Sequence, residues 1–410
     1  MDKFITKYLT ISLASMPAFI LTIPHGASIS SICIFLFSFI VLIAHYPIDM
    51  ALSKKEKILI CSLLLLPIVI IFDVILRDLR FHYLDYYTRF ILVILVFFAL
   101  RTIKVSLAPL MIGILFGAVG AGVLALYQKY YLNLHDIHGY AMQINFGNIS
   151  ILLGMMSLAG LFMVNSVAYK KSFYIITILA FVMGIAGSLL SGTRGGWVAI
   201  PFFIGLFIIF FPFSRAYKII GSVSLILALI LVYFSNDYVQ SRVNSVYKNT
   251  HIYYNSSTID SLNSAGRRLV EWKAGWLMFT EHPIFGIGSG EYKQALQEKI
   301  AAGEVKKIDL VGHAHNEALQ IMVITGIIGL FAYLSLYAGV TYFFYSSLVR
   351  SHITRVKYLS FLGVMIVGAF FIFGLTNYSF VHNMMILFFA VMVAVLAGMI
   401  SRVERESIEA

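Results

Sequence analysis

Residues 326–348 read GIIGLFAYLSLYAGVTYFFYSSL, twenty-three consecutive positions without a charged side chain. As an α-helix this run is about 35 Å long at 1.5 Å per residue, enough to cross a hydrocarbon core about 30 Å thick. The pattern recurs along the chain. Further apolar runs fall at about 8–24, 28–46, 58–76, 87–100, 105–127, 146–165, 173–190, 196–212, 217–234, 357–375 and 383–400, which makes twelve in all. Backbone groups in lipid must find partners within their own segment, and open strands cannot provide them. The expected fold class is therefore all-α: a polytopic membrane protein with about twelve transmembrane helices and one long loop.

Composition supports this reading. The 410 residues are 60% hydrophobic and only 12% charged, with a mean hydropathy of +0.89. Soluble domains are about 45–50% apolar. Cys33 and Cys61 both lie inside apolar runs, which excludes a disulfide framework and any metal-ligand spacing. The first run lacks a small-residue cleavage site, so it reads as a retained helix and not as a removable signal. The net charge of +11 is spread over short loops with no basic patch, which argues against a nucleic-acid partner.

Alternate loops differ in charge. One set contains Lys3 and Lys7; Lys54, Lys55 and Lys57; Arg101 and Lys104; Lys170 and Lys171; Arg215 and Lys218; Arg350, Arg355 and Lys357; Arg402 and Arg405. Each member holds at least two basic residues, which assigns this side and both termini to the cytoplasm. The other set holds HGAS, SGTRGG, TNYSFVH, the mixed RDLRFHYLDYYTR and the long loop. The chain then divides into residues 1–235 with spans one to nine, a periplasmic loop over 236–314 with interfacial helices, and residues 315–410 with a histidine segment and three spans.

Three outward stretches carry candidate chemistry. In SGTRGG, Arg194 sits among small residues that let the backbone approach a ligand closely. Its guanidinium offers paired donors suited to phosphate, although a snorkelling arginine in a glycine turn has the same sequence. In the long loop, Leu269, Trp272, Trp276, Leu277 and Phe279 follow helical spacing, so an amphipathic helix lying along the membrane surface is expected before HPIFGIGSG. Of its doublet Arg267–Arg268, Arg268 shares a face with Trp272 and is the better inward candidate. Lipid head groups are an alternative partner for both. In GHAHNEALQIMVITGIIG, residues 312–329, His315 suits proton transfer near neutral pH, and Asn316 can fix its geometry. Gly326 and Gly329 are expected to allow close helix packing. His313 reads as structural or interfacial. The loop TIPHGAS lacks paired acids, which favours arginines over a divalent cation for holding phosphate, and no cofactor is expected.

These stretches resemble the O-antigen ligase and polymerase family of bacterial membrane glycosyltransferases. HNEALQIMVITGIIG fits that family's histidine, asparagine and two-glycine spacing, with the histidine on His315. SGTRGG resembles its arginine turn at Arg194. GRRLVEWKAGWLMFTEHPIFGIG resembles its loop segment, whose arginine falls on Arg268, with the doublet leaving a one-residue ambiguity against Arg267. The resemblance, closest to the ligase, implies metal-independent transfer of a glycan from undecaprenyl diphosphate to a sugar hydroxyl of lipid A-core on the periplasmic side of the bacterial inner membrane. Arg194 and Arg268 would hold the diphosphate and His315 would activate the acceptor, with membrane lipids as further partners. A polymerase that joins repeat units on the same carrier shares these features. A transporter of lipid-linked glycan is the rival from another class, and its strongest support is Asp73, the main ionisable residue inside a span.

Overall fold

The computed structural model describes residues 2–166, 169–211 and 264–409, with scattered positions between 214 and 223. Its helices are α1 (Asp2–Phe19), α2 (Gly26–Ala44), α3 (Lys54–Leu76), α4 (Thr88–Thr102), α5 (Ala108–Leu126), α6 (Gln143–Ala159), α7 (Lys170–Ser191) and α8 (Ile200–Phe210). They continue with α9 (Ser264–Glu281), α10 (Tyr292–Ala301), α11 (Glu317–Arg350), α12 (Thr354–Gly374) and α13 (Asn383–Glu409). The protein is an all-α polytopic membrane protein.

Among the described residues, eight helical segments are long and apolar enough to cross a membrane, built on α2, α3, α5, α6, α7, α11, α12 and α13. Helices also stand where spans were expected at α1, α4 and α8. However, α1 carries Asp2, Lys3 and Lys7, while α4 and α8 have 15 and 11 residues. At 1.5 Å per residue the latter two fall short of the hydrocarbon thickness. The expected span at 217–234 and the start of the long loop lie almost wholly outside the described residues.

The apolar window of α13 is 94% buried inside the protein, against 28% for α7, so α13 runs through the centre of the bundle and α7 lies at its edge. Basic loops gather at one end of the bundle. There Arg101 Nε meets Glu56 Oε1 at 3.0 Å with both groups buried. Lys104 pairs with Glu406, and Arg402 donates to the Thr102 carbonyl. Removing one partner of a buried pair such as Arg101–Glu56 leaves an uncompensated charge, which costs about 3–5 kcal/mol.

The other end carries the loop. α9, α10 and the chain through Ala314 pack on the first turns of α11, around Val270, Ala274, Met278, Tyr292, Leu296, Val305 and Val323, a small core separate from that of the bundle. The buried stripe of α9 is thus Val270, Glu271, Ala274, Gly275 and Met278. It is rotated from the expected one: Trp276 is 56% exposed, and Trp272 and Leu277 are only half-buried. The helix buries its smaller side chains because α11 approaches closely, with Gly275 against Leu319 and Val323.

α11 is broken at Gly326, whose φ of 67° and ψ of −158° are outside the helical region. The break frees backbone groups, and the loop after α9 takes them up. Ile287 N–H donates to the Val323 carbonyl at 2.9 Å, Gly288 N–H to Ile324 at 3.0 Å, and Ile327 N–H to the Pro283 carbonyl at 2.9 Å. Unsatisfied groups here would be costly so near the membrane. This corrects the expectation for Gly326, which serves backbone geometry and loop docking and not helix–helix packing. Gly329 is buried, and a Cβ there would meet Thr325 and Ile321 of its own helix.

Asp73 fastens the same loop. One carboxylate oxygen accepts from Arg77 Nε at 2.9 Å, and the other accepts from Ser289 N–H at 2.9 Å and Oγ at 2.7 Å. Arg77 then donates to the carbonyls of Phe285, Gly286 and Ile287. Asp73 therefore lies in the last turn of α3 and holds the loop, which is not the midplane position that the transport reading needs.

Candidate functional site

His315 sits in a tight turn between the loop and α11, with a left-handed φ of 46°, uncommon for a residue other than glycine. The turn is held from both sides. From α9, Trp272 Nε1 donates to the Ala314 carbonyl at 3.0 Å, and Glu271 Oε2 lies 2.9 Å from His315 Nδ1. From α11, Gln320 Oε1 accepts from Ala314 N–H at 2.9 Å. Asn316 caps the helix, accepting from Leu319 N–H at 3.0 Å, and donates to the Leu375 carbonyl at 3.3 Å. The His315 side chain keeps 29% of its surface exposed, while that of Glu271 keeps 4%.

His313 belongs to the same cluster and does not stand apart at an interface. Its ring centroid lies 4.3 Å from that of His315 and 5.7 Å from that of Tyr378, and its Nδ1 accepts from His315 N–H at 3.3 Å. Burial pulls its pKa down to about 4, with His315 and His382 adding repulsion. His382 is lowered too, by burial and then by His315. Glu317 is fully buried and accepts from Phe380 N–H at 2.9 Å, which anchors the turn bearing Tyr378 and His382.

Arg268 is half-buried on α9, one turn before Glu271. Burial lowers its pKa, and the nearby Glu271 partly offsets this. Arg267 is exposed and pairs with Asp309 at 2.9 Å. The two arginines of the doublet thus occupy different surroundings, with only Arg268 facing the buried carboxylate.

Arg194 is exposed and follows Gly192, whose φ of 69° ends α7. Its neighbours pack tightly: a Cβ on Gly195 would lie 3.0 Å from Thr376 Oγ1, and one on Gly196 would lie 2.8 Å from Asn148 Oδ1. Thr376 follows Leu375, the residue that Asn316 holds. The Arg194 turn and the His315 turn therefore meet at Leu375–Thr376 and lie at the same end of the bundle. Sequence reasoning missed Glu271, Tyr378 and His382. No local signal marked Glu271, because the stripe it shares with Val270, Ala274 and Met278 is rotated from the one that the tryptophans suggest. Among the described residues no cluster of three or more His, Cys, Asp or Glu side chains could hold a metal ion.

The O-antigen ligase family model matches residues 178–334. The chain is also 26% identical over 390 residues to an uncharacterized protein of Haemophilus influenzae, covering 93% of this chain and 96% of that protein. The matched region contains Arg194, Arg268, Glu271, His313, His315, Gly326 and Gly329, so the similarity to the O-antigen ligase family falls on the segment that builds this end of the bundle.

Proposed function

We propose that the protein is an O-antigen ligase, transferring a glycan from undecaprenyl diphosphate to a sugar hydroxyl of lipid A-core at the periplasmic face of the inner membrane. The observation that carries this is His315: partly open, held in a left-handed turn, and facing an end of the bundle that also presents Arg194 and Arg268. The positive-inside pattern of the loops supports a periplasmic position for that end and a cytoplasmic one for both termini.

In the reaction, the acceptor hydroxyl oxygen bonds to the donor's anomeric carbon while the bond from that carbon to the phosphate oxygen breaks. The hydroxyl proton passes to His315, and the electron pair leaves with the diphosphate. Arg194 and Arg268 supply bidentate, permanently charged donors to the leaving group. Half-burial of Arg268 strengthens its field by excluding water. A positioned base contributes about 10²- to 10⁴-fold. Asn316 holds the turn, and the bond-forming step needs no metal.

Deletion of the gene in its host tests this reading. A ligase leaves long chains stranded on the carrier lipid. Single repeat units attached to the core would instead mark the polymerase of the same family, and loss of all outward-facing lipid-linked glycan would mark a transporter.

A further inference from the structure

We propose that Glu271 is a positioning residue that fixes the tautomer of His315 and stabilises the imidazolium formed during transfer. This rests on the reading of His315 as the base. His315 Nδ1–H donates to Glu271 Oε2 at 2.9 Å, which leaves Nε2 unprotonated and free for the acceptor's proton.

The arrangement around the pair is built to hold it. The Glu271 carbonyl accepts from Tyr292 OH at 3.0 Å, and the next residue, Trp272, grips the Ala314 carbonyl. α9 therefore holds the turn at two successive positions. Among the described residues, His315 is the side chain hydrogen-bonded to the buried Glu271 carboxylate. A buried carboxylate needs a charged or donating partner, and a left-handed histidine persists only where its surroundings over-determine it. Each residue supplies what the other lacks. When Nε2 takes a proton, the pair becomes two opposite charges, with the Glu271 side chain shielded from bulk water and the His315 ring partly open to it. The ionisable groups facing it are Arg268 and Tyr292 on the Glu271 side, and His313 and His382 on the His315 side.

The test uses the full-length protein in lipid nanodiscs with ¹⁵N-labelled histidine, the His315 signals being assigned by their loss in His315→Gln. The wild type is expected to show protonated Nδ1 and unprotonated Nε2, and Glu271→Ala a mixture. Kinetics are read with undecaprenyl-diphosphate-linked glycan extracted from the deletion host. Glu271→Gln is expected to lower kcat about 10- to 100-fold, with little change in KM and the acidic limb of the profile moved to lower pH. Glu271→Asp should recover part of the loss, and Glu271→Gln combined with His315→Ala should be no slower than His315→Ala. An Nε2-protonated His315 in the wild type overturns the proposal even if the Glu271 variants do not fold. Wild-type kcat and pH profile in Glu271→Gln, beside an inactive His315→Ala, overturn it and leave the base assignment standing. An active His315→Ala sinks both.

Discussion

Replacing Gly326 with alanine tests whether the broken helix is the mechanical support of the site. At φ 67° and ψ −158° an alanine occupies a region that is essentially reserved for glycine, at a strain of about 1–3 kcal/mol. Its Cβ would also fall 2.1 Å from the Ile284 carbonyl oxygen and 2.6 Å from Phe285 N. These are backbone atoms that no rotamer change can move, so the loop must lift. Lifting it breaks the three hydrogen bonds to Val323, Ile324 and Pro283, each contributing about 0.5–1.5 kcal/mol. The sum is about 2.5–7.5 kcal/mol. Gly192→Ala is the matched control, because its φ is 69° but nothing lies within 4 Å of the added methyl, so about 1–2 kcal/mol is expected. The assay is SDS-induced unfolding in mixed micelles, followed by tryptophan fluorescence, since Trp272 and Trp276 lie on α9. Equal destabilisation by the two substitutions would refute the docking argument and reduce Gly326 to a local conformational requirement.

Arg194→Lys and Arg268→Lys should each lower transfer by at least tenfold despite keeping the charge, because an ammonium lacks the paired donor geometry. Arg267→Ala should cost less than twofold, since its partner Asp309 is exposed; the reverse ranking, read in the same transfer assay, would move the phosphate ligand by one residue. Folding should depend on pH through His313: its folded pKa of about 4 lies below the ordinary 6.5, so the unfolded chain takes up the proton first. The stability is full above about pH 6.5 and is lost as pH falls towards 4, by at most about 3 kcal/mol. His313→Asn should flatten the dependence of SDS unfolding over that window. Asp73→Asn should destabilise by about 1–3 kcal/mol through the loop it fastens, and stopped-flow uptake assays should show no proton- or sodium-coupled transport in either form.

The spans were legible because lipid imposes uninterrupted apolar runs, and the helix found at each described position follows from that constraint. The sharing of one end by Arg194 and His315 was legible only through loop alternation. The contacts through Leu375–Thr376 depend on how α12 ends, which no local pattern encodes. Gly326 and Gly329 stood out in the sequence, but helix packing and a helix break use the same residue type. Only the backbone angles and the carbonyls taken up by Ile287 and Gly288 separate the two. The rotation of α9 was misread because its tryptophans dominate the periodicity, whereas the close approach of α11 favours Ala274 and Gly275. Glu271 was hidden for a related reason: a glutamate among Arg268 and Lys273 looks like part of a solvated face until His315, 44 positions later, is folded against it.

The most direct test of the account is transfer by purified protein, given defined undecaprenyl-diphosphate-linked glycan and lipid A-core acceptor, in EDTA and without ATP or an ion gradient. The account predicts a new glycosidic bond with wild-type protein and a loss of about 10²- to 10⁴-fold in His315→Ala protein that inserts and purifies normally. Transfer that requires a divalent ion, or near-normal turnover with unchanged pH dependence in the His315 variant, would contradict it.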